Sequence, residues 1–138
     1  MPVTVAVDAN GDVYVGDTGN NTIRRDVSDS APAMPTGVSA SDGAFFWVAV
    51  SWNSVTNATG YTVWRSTAND TNSAGQLGSS ASASYNDLTA PFGVTNYYWI
   101  KATNAVGASG FSSGDSGYAA DTPPAAPTGV TASTNLTD

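Results

Sequence analysis

The sequence contains no cysteine and no histidine, and all of its 11 acidic residues are aspartate. The absence of cysteine excludes disulfides, thiol nucleophiles and thiolate metal sites, and the absence of histidine removes the commonest general base and transition-metal ligand. Catalysis would have to rest on pairs of aspartates, and those nearest in sequence lie at turn positions, where the carboxylate bonds to its own backbone. We therefore predict no catalytic residue, no metal site and no cofactor, and hence no enzyme.

Basic residues are also scarce. The chain has four lysines and arginines and a formal net charge of −7. Only Arg24 and Arg25 are adjacent, so no basic cluster is available to bind phosphates, which excludes nucleic acid as a partner. No apolar run approaches the roughly 20 residues that span a bilayer, and no membrane insertion is predicted. Charged residues are 11% of the chain, and this low-charge composition favours an extracellular or cell-surface location.

One ten-residue segment occurs twice. Residues 32–41 read PAMPTGVSAS, and residues 124–133 read PAAPTGVTAS, 92 residues later. That spacing fits one β-sandwich of about 100 residues, and each proline-rich copy is typical of a linker that leads into a first strand at a sheet edge. We therefore predict a separate segment and linker over residues 1–31, one complete sandwich over 32–121, and the linker and first strand of a following repeat over 122–138.

The residues between the two copies predict an all-β fold. Valine, tyrosine and tryptophan supply much of the apolar content, whereas leucine is rare and glutamate is absent, which favours short strands over helices. Apolar and polar residues alternate within residues 47–52, 61–65 and 96–102, so every second side chain in these strands should face inward. The predicted core residues are Trp52, Tyr61, Val63, Tyr98 and Ile100.

These motifs together resemble a fibronectin type III domain. The resemblance is carried by PTGV at 35–38, by Trp52, by YTVWRS at 61–66 and by WIKATNAVGAS at 99–109. It implies a seven-stranded immunoglobulin-like β-sandwich over residues 32–121, extended here by an N-terminal β-hairpin and a single C-terminal strand. One position departs from the family. Six residues before Ala102, where such domains usually carry the tyrosine of the motif called the tyrosine corner, the chain has Asn96. Either the tyrosine corner is lost or a bulge lets Tyr97 take that position.

The first 25 residues follow a different pattern. Strand-like segments at 3–8, 12–17 and 22–25 are separated by turns rich in asparagine and glycine, and they resemble one NHL repeat of a β-propeller. One such unit cannot close a ring, and an isolated hairpin is marginally stable in water. This segment therefore needs a surface on which to pack.

The resemblance also predicts a binding surface. In this family the strands that hold residues 61–65 and 96–102 are neighbours in one sheet, which would place outward-facing Trp64 beside Tyr97 and Trp99. Three exposed rings would form an aromatic patch able to bind sugars or proteins. The alternative is that loops or the N-terminal hairpin cover the three rings.

These features favour a non-catalytic extracellular structural or adhesive module, part of a multidomain surface protein or of a self-assembling fibre linked through its terminal strands. The predicted partners are proteins, either neighbouring domains or identical subunits, and glycans are a further candidate. The alternative function is a carbohydrate-binding module that uses the aromatic patch. In a fibre, residues 125–138 would pair as a first strand on a neighbouring subunit; otherwise both ends pack on their own sandwich.

Overall fold

The described elements are β-strands, apart from one 3₁₀ turn at Thr71–Ser73. The structure is a computed structural model that describes residues 2–9, 13–17, 19, 22–26, 30–122 and 125–133. Within these ranges no helix has the length and apolar character needed to cross a membrane. The fold is therefore all-β, as the composition predicts.

An N-terminal sheet contains the first three strands. Strand β1 is Pro2–Val7, β2 is Val13–Asp17 and β3 is Thr22–Asp26, and they pair antiparallel in that order. The three strand-like segments expected within residues 3–25 therefore form one antiparallel sheet, in which the third segment pairs along the free edge of β2. Among its described side chains, Val5, Val7 and Ile23 are exposed. Apolar surface of this sheet is therefore uncovered in the single chain.

The sandwich consists of two sheets. The first sheet has the order β4 (Ser39–Ala40), β6 (Val48–Ser51) and β9 (Ser84–Asp87). The second has the order β5 (Asp42–Phe45), β11 (Asp115–Ala120), β10 (Asn96–Thr103), β7 (Gly60–Ser66) and β8 (Gly75–Ser80). Strands β7 and β10 pair without a register shift from Tyr97 and Ser66 to Thr103 and Gly60.

The first strand of the sandwich is divided between the two sheets. Strand β4 pairs antiparallel with β6, whereas β5 pairs parallel with β11. Ser41 lies between them: its N–H donates to the carbonyl of Ala49, and its carbonyl accepts from the N–H of Tyr118. The described sandwich accordingly has eight strand segments where seven strands were predicted, because the chain changes sheet at this residue.

The core lies between the two sheets. All five predicted core residues are buried, and the rings of Trp52 and Tyr61 meet edge to face with centroids 5.3 Å apart. The other fully buried side chains of the core include Val48 and Val50. None of the described residues of β1–β3 belongs to this cluster. The sandwich therefore has a hydrophobic core of its own.

The family's tyrosine position is occupied by Asn96, and strand β10 contains no bulge there. Asn96 is buried, and its side-chain amide donates to the carbonyl of Val94 at 2.9 Å. Tyr97 is half-buried on the opposite face, so it does not replace the missing tyrosine. Of the two alternatives, the structure shows loss of the corner.

A buried polar cluster surrounds Asp87 at the end of β9. Its carboxylate accepts hydrogen bonds from Arg65 at 2.7 Å and from the hydroxyl of Tyr98 at 3.0 Å. It also accepts from the N–H and the hydroxyl of Thr89. Burial alone would raise the pKa of Asp87, but the hydrogen bonds from Thr89, Arg65 and Tyr98 outweigh it and lower that pKa. The cluster joins the two sheets through a charged group that is fully paired.

Candidate functional site

The predicted aromatic patch is only partly formed. The register places Trp64 directly opposite Trp99 on the neighbouring strand, and the ring of Tyr97 stacks against Trp99 at 6.3 Å. However, Trp99 is only 4% exposed, so the prediction of three exposed rings is wrong for this residue. Trp64 and Tyr97 are half-buried.

The chain between β10 and β11 covers the patch. A β-carbon at Gly114 would collide with the indole of Trp99, which shows how closely this segment passes over the ring. Phe111 meets Trp64 edge to face with ring centroids 5.3 Å apart, and the amino group of Lys101 lies 4.0 Å from the centroid of Phe111. Loop residues and a cation–π contact therefore occupy the face that a ligand would need.

Three of the described aspartates, Asp70, Asp87 and Asp115, bond to the backbone or to core side chains. Asp115 accepts from the N–H of Ala40 at 2.8 Å, and Asp70 accepts from the N–H of Asn72 at the start of the 3₁₀ turn. Within the described ranges, no three acidic side chains gather to form a possible metal site. An open depression of about 340 Å³ beside Tyr61 and Ser79 is lined by no ionisable side chain other than that tyrosine.

The N-terminal linker is held by two turns of the sandwich. The carbonyl of Ser30 accepts from the side-chain amides of Asn57, at 2.9 Å, and Asn104, at 2.7 Å. Asn57 lies between β6 and β7, and Asn104 lies between β10 and β11. Pro32 and Pro35 are buried directly after this contact. We call this region the N-terminal surface; it fixes where the chain joins the sandwich.

The opposite end of the sandwich exposes apolar side chains where the chain leaves it. Phe46 and Phe92 meet edge to face at 6.0 Å, and they are 57% and 50% exposed. The N–H of Phe46 donates to the carbonyl of Ala120, the last residue of β11. We define the C-terminal surface by its exposed apolar residues, which are Phe46, Trp47, Leu88, Phe92, Val94 and Tyr118.

Sequence reasoning did not identify the C-terminal surface. Its one signal was the aromatic run at residues 45–47 directly before a strand whose inward positions are Val48 and Val50. Simple alternation would also direct Phe46 inward. Instead Phe46 has φ of 67°, so the chain turns there and the ring faces outward.

The glycine of the second copy has the backbone conformation of its counterpart in the first copy, but the two copies differ in burial. Gly37 has φ of 66° and Gly129, its counterpart, has φ of 74°. Pro35 is buried in the sandwich, whereas the matching Pro127 is exposed, and Val130 is 82% exposed. The described tail, residues 125–133, contains no strand, and each of its residues is exposed.

Comparisons with known proteins agree with this architecture. Residues 1–25 match the family model of the NHL repeat. The chain is similar to an Fn3-like protein from Clostridium thermocellum, with 26% identity and a TM-score of 0.59 over 69% of this chain and 100% of that one. A fibronectin type III domain of human fibronectin type III domain containing protein 3 has 13% identity and a TM-score of 0.57 over 67% of this chain and 90% of that one. The chicken CNTN1 FN1–FN3 domains have 20% identity and a TM-score of 0.57 over 87% of this chain and 47% of theirs. No curated protein matches. The sandwich thus has the fibronectin type III fold.

Proposed function

We propose that this chain is a non-catalytic structural or adhesive module, one link in a series of extracellular domains. The observation that carries the proposal is the second copy of the opening segment. It has the same glycine conformation as the first copy, but Val130 is 82% exposed, whereas its counterpart Val38 packs against the core of the sandwich. Residues 124–133 therefore belong to a following repeat, and the sandwich at 32–121 is one of a series.

Two further features support a role as a spacer. The core is self-contained, so each sandwich can fold within a longer chain. The N-terminal linker is anchored through Ser30 and two buried prolines, which removes freedom at the joint. A low content of charged residues, 11%, supports an extracellular or cell-surface location. The partners would be neighbouring protein domains.

Deletion of residues 122–138 tests the proposal. The described residues of the tail, 125–133, form no strand on the sandwich. The shortened and complete chains should therefore unfold at the same urea concentration, and both should sediment as monomers. A fibre joined by strand exchange predicts instead that the complete chain assembles with increasing concentration and that the deletion abolishes assembly. That second result would replace a series of domains with a self-assembling fibre.

Carbohydrate binding is the other candidate, and it rests on the half-buried rings of Trp64 and Tyr97, since Trp99 is covered. Two partly covered rings offer a small platform. On a glycan array the structural proposal predicts no selective binding. Selective binding by the complete chain that Trp64→Ala abolishes, with unfolding stability retained, would favour the carbohydrate function.

A further inference from the structure

We infer that the C-terminal surface docks against the N-terminal surface of the following repeat and holds successive sandwiches at a fixed angle. The inference rests on the proposed function, because it needs a following repeat. It goes further in naming the joint, the residues that form it and its rigidity.

The length of the linker brings the two surfaces together. Strand β11 ends at Ala120, and the 92-residue spacing makes Pro124 the counterpart of Pro32, which is buried in its own sandwich. At most three residues, 121–123, therefore remain free between one sandwich and the next. Four backbone steps of about 3.5 Å each span at most about 14 Å. A tether this short keeps the facing ends of two sandwiches within contact distance.

The contact that anchors the N-terminal linker uses a backbone carbonyl, so a residue other than serine can make the same contact before the next repeat. Just before the first copy of the repeated segment, two asparagine side chains donate to the carbonyl of Ser30, and a backbone carbonyl is present whatever the side chain. The counterpart of Ser30 is Thr122, two residues after the end of β11. If the next repeat binds this carbonyl in the same way, only Asp121 is left as a joint.

The chemistry of the C-terminal surface fits burial in a joint. It presents Phe46, Phe92 and Leu88, which are 57%, 50% and 71% exposed, and contiguous exposed apolar surface usually marks an interface. Phe46 reaches this position in the left-handed region, with φ of 67°, which is unfavourable for a bulky residue. A neighbouring domain docked here would cover the ring that this turn presents to water.

The following sandwich is the occupant that the structure favours. The tail that carries the next first strand leaves the molecule beside this surface, because Ala119 bonds to Gly93 and Ala120 bonds to Phe46. A domain tethered by so short a linker has a high effective concentration at the surface, in the millimolar range or above. A separate molecule would have to compete against that tether.

The test uses a tandem protein in which residues 30–122 follow directly after Asp121, so that a second copy of this sandwich serves as the following repeat. Its core is complete within residues 38–119, so the second copy contains all it needs to fold. Amide residual dipolar couplings, measured in one alignment medium, report whether both sandwiches share an alignment tensor. Docking predicts one common tensor.

Two variants sharpen the test. Phe92→Ala in the first copy lies in the joint and should give separate tensors for the two sandwiches. The same substitution in the second copy lies on a free surface and should leave the common tensor unchanged. Insertion of Gly-Ser-Gly-Ser after Asp121 should also separate the tensors without unfolding either sandwich.

The possible results separate the inferred docking of successive sandwiches from the proposed function as one of a series of domains. Two folded sandwiches with independent tensors in the unmodified tandem would overturn the docking, while the series of domains would stand. A common tensor that survives both Phe92→Ala in the joint and the insertion would also overturn it. A second copy that fails to fold would contradict the proposed function, and the docked joint with it.

Discussion

Removal of the Asp87 carboxylate should destabilise the sandwich strongly. Asp87 is 1% exposed and accepts hydrogen bonds from Thr89, Arg65 and Tyr98. In Asp87→Ala the hydroxyl of Tyr98, itself fully buried, loses its acceptor. Breaking a buried ion pair costs about 3–5 kcal/mol, and a lost charged hydrogen bond costs about 1.5–3 kcal/mol. Arg65 is 24% exposed and can turn to water, so we expect about 3 kcal/mol, near the overlap of these ranges.

Urea unfolding followed by tryptophan fluorescence measures this loss. A second substitution, Tyr98→Phe, removes the hydroxyl that Asp87→Ala leaves without a partner. The double variant should therefore be more stable than the sum of the two single losses predicts, by about 1 kcal/mol, as for residues in direct contact. A change within about 0.5 kcal/mol for Asp87→Ala, the range of surface substitutions, would refute the account of this cluster.

The same cluster predicts a dependence on acid. The folded-state pKa of Asp87 lies below its unfolded value, because hydrogen bonds to the carboxylate outweigh the effect of burial. Its contribution is therefore present above the unfolded pKa of about 3.9 and is lost as the pH falls through the lower folded pKa. Asp87→Asn should flatten the decline in stability below about pH 4. An unchanged acid profile would contradict the assignment.

Three further perturbations follow from the packing. Trp52→Ala should lower the free energy of unfolding in urea by about 3–5 kcal/mol, because loss of the buried indole leaves a cavity. Trp52→Phe should lower it less, since the indole N–H has no partner within the described residues. Equal losses for the two variants would contradict this expectation. Gly114→Ala should lower the free energy of unfolding by about 1–3 kcal/mol, because the new methyl group collides with Trp99. Gly75→Ala is the control and should have no such effect, since the space around Gly75 is open. An unchanged stability of Gly114→Ala would show that Trp99 is uncovered. Burial and the nearby Asp87 charge raise the pKa of Tyr98, so stability should fall as the pH rises above about 10, where unfolded tyrosine ionises, and Tyr98→Phe should lessen that fall.

The strands and the core were predictable because they depend on local alternation. Val48, Val50 and Trp52 share one face by the two-residue period of a strand, and the structure buries all three. Alternation also directed Trp64 and Trp99 to the outward face of their strands, and the family resemblance implied that these strands are neighbours, as the register shows. Alternation cannot reveal what lies above a face, so the sequence left open whether loops cover these rings, and the structure places the chain at Gly114 over Trp99.

The polar cluster and the C-terminal surface depend on contacts between distant residues. Asp87 meets Arg65 across 22 positions, and no sequence motif links them. The outward turn at Phe46 depends on its hydrogen bond to Ala120, at the far end of the sandwich sequence. Likewise, the change of sheet at Ser41 depends on Ala49 and Tyr118. Each of these features required the fold before it could be recognised.

Calorimetry of the tandem protein measures whether this sandwich is a self-contained unit that can follow another in a series. A second copy placed after Asp121 at the 92-residue spacing should fold. Its 93 residues should add about 65 kcal/mol of unfolding enthalpy near 60 °C, at about 0.7 kcal/mol per residue. The tandem would then show close to twice the enthalpy of the sandwich in the single chain. An enthalpy equal to that of the single chain would mean that the second copy stays unfolded, and it would contradict the claim.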